Sequence, residues 1–233
     1  MKNKSGRARP KAVVLLSGGL DSATTLYYAK DKGFSCTCLS FDYGQRHRRE
    51  LAAAKRIASA AGCEHRTVKI SLPWKGSSLL DKSIRLPAFD RRQKAGEDVP
   101  NTYVPARNII FLSFALSCAE AIGAQAIYIG ANAVDYSGYP DCRPVFYKAF
   151  QGAARTGTKS GIKRPVRILT PLIHMTKAEI VKLGSRLKVP YELTWSCYAG
   201  GAQPCGMCDS CHFRAKGFLQ AGIDDPALAK RCS

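Results

Sequence analysis

Ser17-Gly18-Gly19-Leu20-Asp21-Ser22 lies between the apolar run of residues 12–16 (Ala-Val-Val-Leu-Leu) and the stretch of residues 23–29 (Ala-Thr-Thr-Leu-Tyr-Tyr-Ala). A buried strand stops, a glycine turn follows and a helix begins. Glycine carries no Cβ, so the main chain there can come close to a ligand. The first N–H groups of the new helix converge on one point, and the helix dipole adds positive potential to it. The turn is a seat for a phosphate-like anion, and an acid beside it, Asp21, implies a metal ion between the two. It is neither a Walker loop, whose lysine is missing, nor a dinucleotide fingerprint, whose glycine spacing differs. Read as structure alone, the segment is an ordinary strand–turn–helix link with Asp21 or Ser22 as N-cap.

Outward from the turn, the pattern repeats. Residues 35–41 read as a second strand, and residues 46–61 as a helix carrying Leu51, Ala54, Ile57, Ala58 and Ala61 at helical spacing. Residues 65–70 read as a third strand. Residues 71–104, with Pro73, Pro87 and Pro100, show no periodicity, and a stretch that long without elements is often functional. A long helix is predicted after Pro105, strands over 126–130 and 166–169, and a helix over 176–187 that opens with a capping box, Thr176 and Glu179. The β-α-β-α-β order predicts an α/β fold, a parallel Rossmann-like sheet with helices on both faces. Ligands then bind beyond the carboxyl ends of the strands. That places the glycine turn, residues 41–45 and residues 130–143 around one cleft.

The chain has 233 residues, a net charge of +19 and 45% hydrophobic residues. Its mean hydropathy of −0.17 and the lack of any apolar run of spanning length argue against a membrane protein. Residues 1–11 hold Lys2, Lys4, Arg7, Arg9 and Lys11 without an acid and read as a flexible basic tail rather than an export signal, so a cytoplasmic protein is expected. The positive field attracts polyanions. Charge speaks to association and not to fold, however, so it leaves a nucleic-acid partner open without requiring one. Denser basic stretches occur at residues 46–49 and 159–167.

Of ten cysteines, four cluster as Cys197-x7-Cys205-x2-Cys208-x2-Cys211. In a reducing compartment these read as metal ligands rather than disulfides. Four thiolates suit one Zn²⁺ in a closed, structural site; an iron–sulfur cluster is the rival for a Cys-x2-Cys-x2-Cys run. Arg107, at the head of the long helix, opposes the helix dipole, and a nearby anion would justify it. In the segment 130–143, Asp135 and Asp141 can hold magnesium or accept hydrogen bonds from a base edge, and Tyr136 and Tyr139 can stack on a flat heterocycle. A surface loop with turns at Gly138 and Pro140 accounts for the same residues.

The glycine turn resembles the pyrophosphate loop of the ATP pyrophosphatase superfamily. With it, Val104-Pro105-x-Arg107-Asn108, the run from Asp135 to Arg143, Thr170-Pro171-Leu172, Thr194-Trp195-Ser196-Cys197-Tyr198 and the cysteine set occur in order. Together they resemble the 7-cyano-7-deazaguanine synthase family of queuosine-precursor synthesis, over nearly the whole chain. The resemblance implies an ATP-dependent carbon–nitrogen ligase that turns 7-carboxy-7-deazaguanine and ammonia into the nitrile through adenylated intermediates. It implies Leu16, Ser17, Gly18, Gly19, Leu20, Asp21, Ser22, Ala23, Thr24, Thr25 and Leu26 as the ATP-binding stretch. Asp21, Arg107 and Asp135 would be catalytic, and Tyr136, Tyr139, Asp141 and Arg143 candidates for the substrate. It further implies Mg²⁺ with ATP, one structural Zn²⁺ on Cys197, Cys205, Cys208 and Cys211, and a homodimer. The chain divides on this reading into a tail (1–11), a nucleotide-binding domain (12–190) and a zinc-binding lobe (191–233). The basic stretch 159–167 is not part of the resemblance. A tRNA-modifying enzyme of the same superfamily, a thiolase or lysidine synthase, fits the charge but leaves residues 135–143 unexplained. A non-enzymatic zinc-stabilised nucleic-acid binder leaves the glycine turn unused.

Overall fold

A computed structural model describes residues 8–89, 99–134 and 138–229. The first strand, β1 (Lys11–Leu15), runs into the glycine turn and helix α1 (Leu20–Asp31), then β2 (Ser35–Asp42), α2 (Arg49–Ala60) and β3 (Glu64–Lys69). A long connection leads to α3 (Arg107–Ile122) and β4 (Ala126–Ile129). Next come α4 (Pro144–Thr156), α5 (Lys159–Lys163), β5 (Arg167–Leu169) and α6 (Lys177–Arg186). The last elements are α7 (Asp209–Ala221) and α8 (Pro226–Ala229).

The five strands pair in parallel in the order β3-β2-β1-β4-β5. The expected α/β sheet with helices on both faces is therefore present. Ala12, Val13 and Val14 are wholly buried, which is what a central parallel strand covered on both faces requires. Their side chains alternate. Ala12, Val14 and Leu16 pack with α1, α2, α6 and α7, through Leu26, Ile57, Ile180 and Phe218. Val13 and Leu15 pack with α3 and α4, through Leu112, Ala115 and Tyr147. The order reverses between β2 and β4, so a crevice opens at the carboxyl ends of β1 and β4, the topological switch point of such a sheet.

The sequence pattern placed the main elements to within a few residues, and the capping box is formed: Thr176 Oγ1 accepts from Glu179 N, and Glu179 Oε2 from Thr176 N. Two boundaries moved for physical reasons. Helix α2 begins at Arg49 because residues 46–48 are occupied in tertiary contacts. Helix α3 begins two residues after Pro105 because Ala106 is left-handed, at φ 56°. Among the described residues, no helix is long and apolar enough to cross a membrane.

Candidate active site

At the end of β1 the chain makes its turn with Gly18 at φ +89°, the left-handed region that glycine tolerates. A Cβ there would lie 2.2 Å from the Glu50 carbonyl and 2.8 Å from Ala54 N, so the turn packs directly on α2. Gly19 is the N-cap of α1 and lacks a capping side chain, unlike the expected Asp21 or Ser22 cap. Ser22 Oγ donates to Gly19 O at 3.0 Å, and Ser17 Oγ to Ser22 Oγ at 3.1 Å. Gly18 O accepts the Trp195 N–H at 2.9 Å, which ties the turn to the C-terminal part of the chain.

Asp21 faces Lys177, the first residue of α6. Lys177 Nζ donates to Oδ1 at 2.9 Å and to Oδ2 at 2.8 Å, with both side chains largely buried. A lysine at a helix N-terminus opposes the dipole. It is held there by α7: a Cβ on Gly217 would lie 2.4 Å from Lys177 Cγ, so glycine makes room for the lysine stem. Upstream, Asn132 at the end of β4 donates to the carbonyls of Leu172 and Met175 and so fixes the approach to α6.

The turn, Asp21 and Lys177 form one side of a cavity of about 320 Å³, within the range of small-molecule sites. The far wall comes from β2, the loop behind it, α2 and α3. Phe41 and Phe111 stack at 4.0 Å and 3°, and Tyr43 meets Phe111 at 5.3 Å. Arg107 Nη1 donates to Tyr43 Oη at 3.3 Å. Glu50, in the first turn of α2, lines the same wall and has no side-chain hydrogen bond or ion pair among the described residues. Burial drives its carboxyl up to about 7 against the opposing pull of the Arg107 charge. Between Glu50 and Arg107 the cavity continues into a smaller compartment of about 40 Å³, lined by Tyr43, Gln45, Arg46, His47, Leu79 and Tyr198 as well.

The basic run 46–49 serves as a hub. Arg46 donates to the carbonyls of Ser78, Asp81, Lys82 and Ile84 and so pins the long connection that delivers Leu79 to the cavity. His47 Nε2 donates to Cys197 O at 3.0 Å. Arg49 donates to Gly200 O at 3.1 Å and lies 4.9 Å over the Trp195 ring.

The four clustered cysteines converge, with all Sγ atoms within 4.8 Å of one another. Zn–S bonds of about 2.3 Å in a tetrahedron put the sulfurs about 3.8 Å apart, and Cys205 and Cys211 Sγ are 4.0 Å apart. Cys197 Sγ accepts from Ala199 N and Cys205 N, and Cys205 Sγ from Met207 N and Cys208 N. Hydrogen bonds from Cys208 and Cys211, and then those backbone donors, hold the Cys197 thiol down toward the thiolate that a metal needs. Behind the cluster, Arg214 of α7 is clamped by Asp225 at 2.7 and 2.8 Å and reaches Thr194 Oγ1 at 2.7 Å.

The residues read from the sequence are thus distributed. Leu16, Ser17, Gly19, Leu20, Asp21 and Ser22 line the cavity, as do Arg107 and Tyr139. Ala23, Thr24, Thr25 and Leu26 do not: they are buried in the core, with the threonine hydroxyls donating back to Leu20 O and Asp21 O. Gly18 contributes its close approach to α2 rather than cavity surface. Asp141 is buried and off the cavity wall, its Oδ2 accepting from Asn108 N at 3.0 Å in the first turn of α3. Arg143 is exposed, outside the cavity wall. Asp135 and Tyr136 lie outside the described residues. Lys177 and Glu50 were not read as site residues. Lys177 carried the signal that marked Arg107, a cation on the first turn of a helix; Glu50 carried none, because an acid in a first turn is ordinary.

A family model described as queuosine biosynthesis protein QueC matches residues 11–222. The chain is 54% identical over 219 residues to a 7-cyano-7-deazaguanine synthase of a Nostoc species, covering 93% of this chain and 96% of that one. It is 52% identical over 216 residues to that of Thermoplasma volcanium, covering 93% and 89%. Among solved structures, it resembles an NMN synthetase of Francisella tularensis with a TM-score of 0.50 at 16% identity, covering 96% of this chain and 82% of that one, a likeness of fold alone.

Proposed function

This chain belongs to the family of queuosine biosynthesis protein QueC, the 7-cyano-7-deazaguanine synthases, which are ATP-dependent ligases, and from that premise we propose its substrates and the work of its residues. The substrate is 7-carboxy-7-deazaguanine. Its carboxylate oxygen attacks the α-phosphorus of ATP, pyrophosphate leaves, and an acyl-adenylate forms. Ammonia attacks the acyl carbon and AMP leaves, giving the amide. A second ATP adenylates the amide oxygen with loss of pyrophosphate, and departure of the second AMP leaves the nitrile.

The observation that carries this reading is the convergence, on one cavity, of the α1 N-terminus, Lys177 and Arg107. The turn amides and the Lys177 ammonium bind the departing pyrophosphate and stabilise charge that grows on the phosphate oxygens. Arg107, buried among tyrosines, offers a fixed cation to the substrate's carboxylate. Phe41, Phe111 and Tyr43 give a flat heterocycle a wall to stack on and keep water from the adenylate. No side-chain nucleophile is needed, since acid and ammonia are the nucleophiles.

Asp21, whose oxygens each keep an acceptor site beside the Lys177 bond, is the carboxylate that would share Mg²⁺ with the phosphates; bound there, the ion would supply Lewis-acid polarisation of the phosphate oxygens. The thiolates of Cys197, Cys205, Cys208 and Cys211 would hold one Zn²⁺ in a closed structural site. We further take residues 12–190 as the nucleotide-binding domain, 191–233 as a lobe packed on it, and the protein as a cytoplasmic homodimer.

The test is incubation with ATP, magnesium, ammonium and 7-carboxy-7-deazaguanine. AMP and pyrophosphate released only with the deazapurine acid, and a nitrile product, are expected. Release that requires tRNA instead, or no release, refutes the reading.

A further inference from the structure

Three N–H protons must leave one nitrogen between ammonia and a nitrile, and neither phosphate binding nor charge stabilisation removes a proton. We infer that Glu50 is the base of the nitrogen steps and that the compartment beside it, bounded by Arg107, Tyr43 and Tyr198, holds the incoming ammonia. The inference rests on the proposed reaction and extends it.

Geometry comes first. The Glu50 carboxylate opens into the cavity with no hydrogen-bond or ion-pair partner among the described residues. An acid in a helix's first turn complements the dipole when it faces water; this one faces the cavity. The adjoining space, about 40 Å³, is large enough for a molecule the size of water or ammonia. It is lined by Glu50 and by the phenol groups of Tyr43 and Tyr198, while the Gln45 amide on the same wall is bonded to Tyr43 N and Phe41 O.

Elimination follows among the described cavity residues. Asp21 is held bidentately by Lys177. Arg46, Arg107, Lys177 and Arg214 are cations, and His47 donates from Nε2 to Cys197 O while its Nδ1 is buried away from the open space. Burial raises the Cys142 thiol to about 11 and raises the Tyr43 phenol too. The groups facing Glu50 are Arg107 from α3, Tyr43 and His47 from the segment after β2, and Tyr198 and the more distant Cys197 from the C-terminal part. Burial outweighs the attraction of Arg107, so the Glu50 carboxyl changes charge near neutral pH, where a general base works best.

In amide formation the ammonia lone pair forms the C–N bond, the C–O bond to AMP breaks with AMP taking the electron pair, and an N–H proton passes to Glu50. Adenylation of the amide oxygen leaves a cationic nitrogen, which gives Glu50 its second proton. In the last step the remaining N–H pair becomes the third C–N bond as the C–O bond breaks and AMP leaves, and the proton again goes to Glu50. Water takes each proton on before the next is removed.

The experiment compares wild type, Glu50→Gln and Glu50→Asp in rapid-quench assays with three readouts. These are pyrophosphate release from ATP and the acid without ammonium, amide formation on adding ammonium, and conversion of the isolated amide to nitrile. Glu50→Gln should release pyrophosphate within about threefold of wild type but form amide and nitrile about 10²–10³-fold more slowly, the usual loss for a general base. The wild-type rate of nitrile formation should rise through a limb near pH 7 that Glu50→Gln lacks, and Glu50→Asp should recover part of the rate. A loss shared equally by all three readouts would make Glu50 a receptor for the ring's N–H edge and overturn the inference. So would a retained pH limb, or unimpaired nitrile formation, in Glu50→Gln. Should that variant not fold, a wild-type profile without the limb overturns it. A wild type that releases no AMP with the acid overturns the proposed reaction and this inference together; failure in the variants alone leaves the reaction standing.

Discussion

A single side chain decides how the anion seat is charged. Asp21 alone would leave a carboxylate facing the proposed phosphate subsite, and Lys177, bonded to both of its oxygens, offsets that charge. Lys177→Met should therefore lower pyrophosphate release about 10²–10³-fold, the scale of losing one preorganised charge stabiliser, and should also lower the melting temperature, because it strands the largely buried Asp21 carboxylate. An unchanged rate in a burst assay would show that the lysine only neutralises the aspartate. Glycines are the other residue-scale determinant. At Gly18 a methyl group would overlap the α2 backbone at a positive φ, so the residue type is fixed by packing as well as by ligand access.

At the scale of elements, helices are aimed by side chains that sequence pattern alone does not pair. Asp141 satisfies an N–H in the first turn of α3, and the left-handed Ala106 starts that helix so that its first residue, Arg107, lines the cavity. Helix α7 is anchored by Arg214 and Asp225, whose side chains are 8% and 5% exposed. Breaking a buried pair strands a charge, at a cost of about 3–5 kcal/mol. Asp225→Ala should lower unfolding free energy by that amount in urea titrations, and should weaken ATP binding as well, because Arg214 also holds Thr194 beside the Trp195 that bonds the glycine turn. Helix α2 was legible by its period because it buries one face, α6 by its capping box, α1 by the turn before it and α3 by its apolar run after Pro105. Helices α4, α5, α7 and α8 were not read. In α5 five residues are too few for a period, and α7 was masked by the reading of its cysteines as ligands alone.

Across the whole molecule the sheet and the cysteine segment share one cavity. Trp195, Ser196, Tyr198, Ser210, Phe213 and Arg214 line it from the C-terminal side, and His47 and Arg49 bind that side back to α2. A metal held by the cysteines would then be coupled both to folding and to the site. Stripping the metal with a chelator at neutral pH should lower the melting temperature and abolish adenylation together, and re-addition of zinc should restore both. Metal analysis giving iron, or adenylation that survives complete removal, would contradict the proposed structural zinc site.

The amino-acid sequence by itself determined the parallel α/β fold, the glycine turn after β1, the helix headed by Arg107 and the four-cysteine set, because these rest on local periodicity, glycine conformation and ligand spacing. Only the tertiary structure decided that Lys177 pairs with Asp21 of the turn, that Asp141 caps a helix, that Ala23 to Leu26 belong to the core, and that Glu50 faces the cavity with no partner among the described residues. Those assignments depend on which atoms meet across 30 to 160 residues of chain, and short-range pattern carries no record of such distances; Lys177 and Asp21 are 156 residues apart and 2.8 Å away from each other.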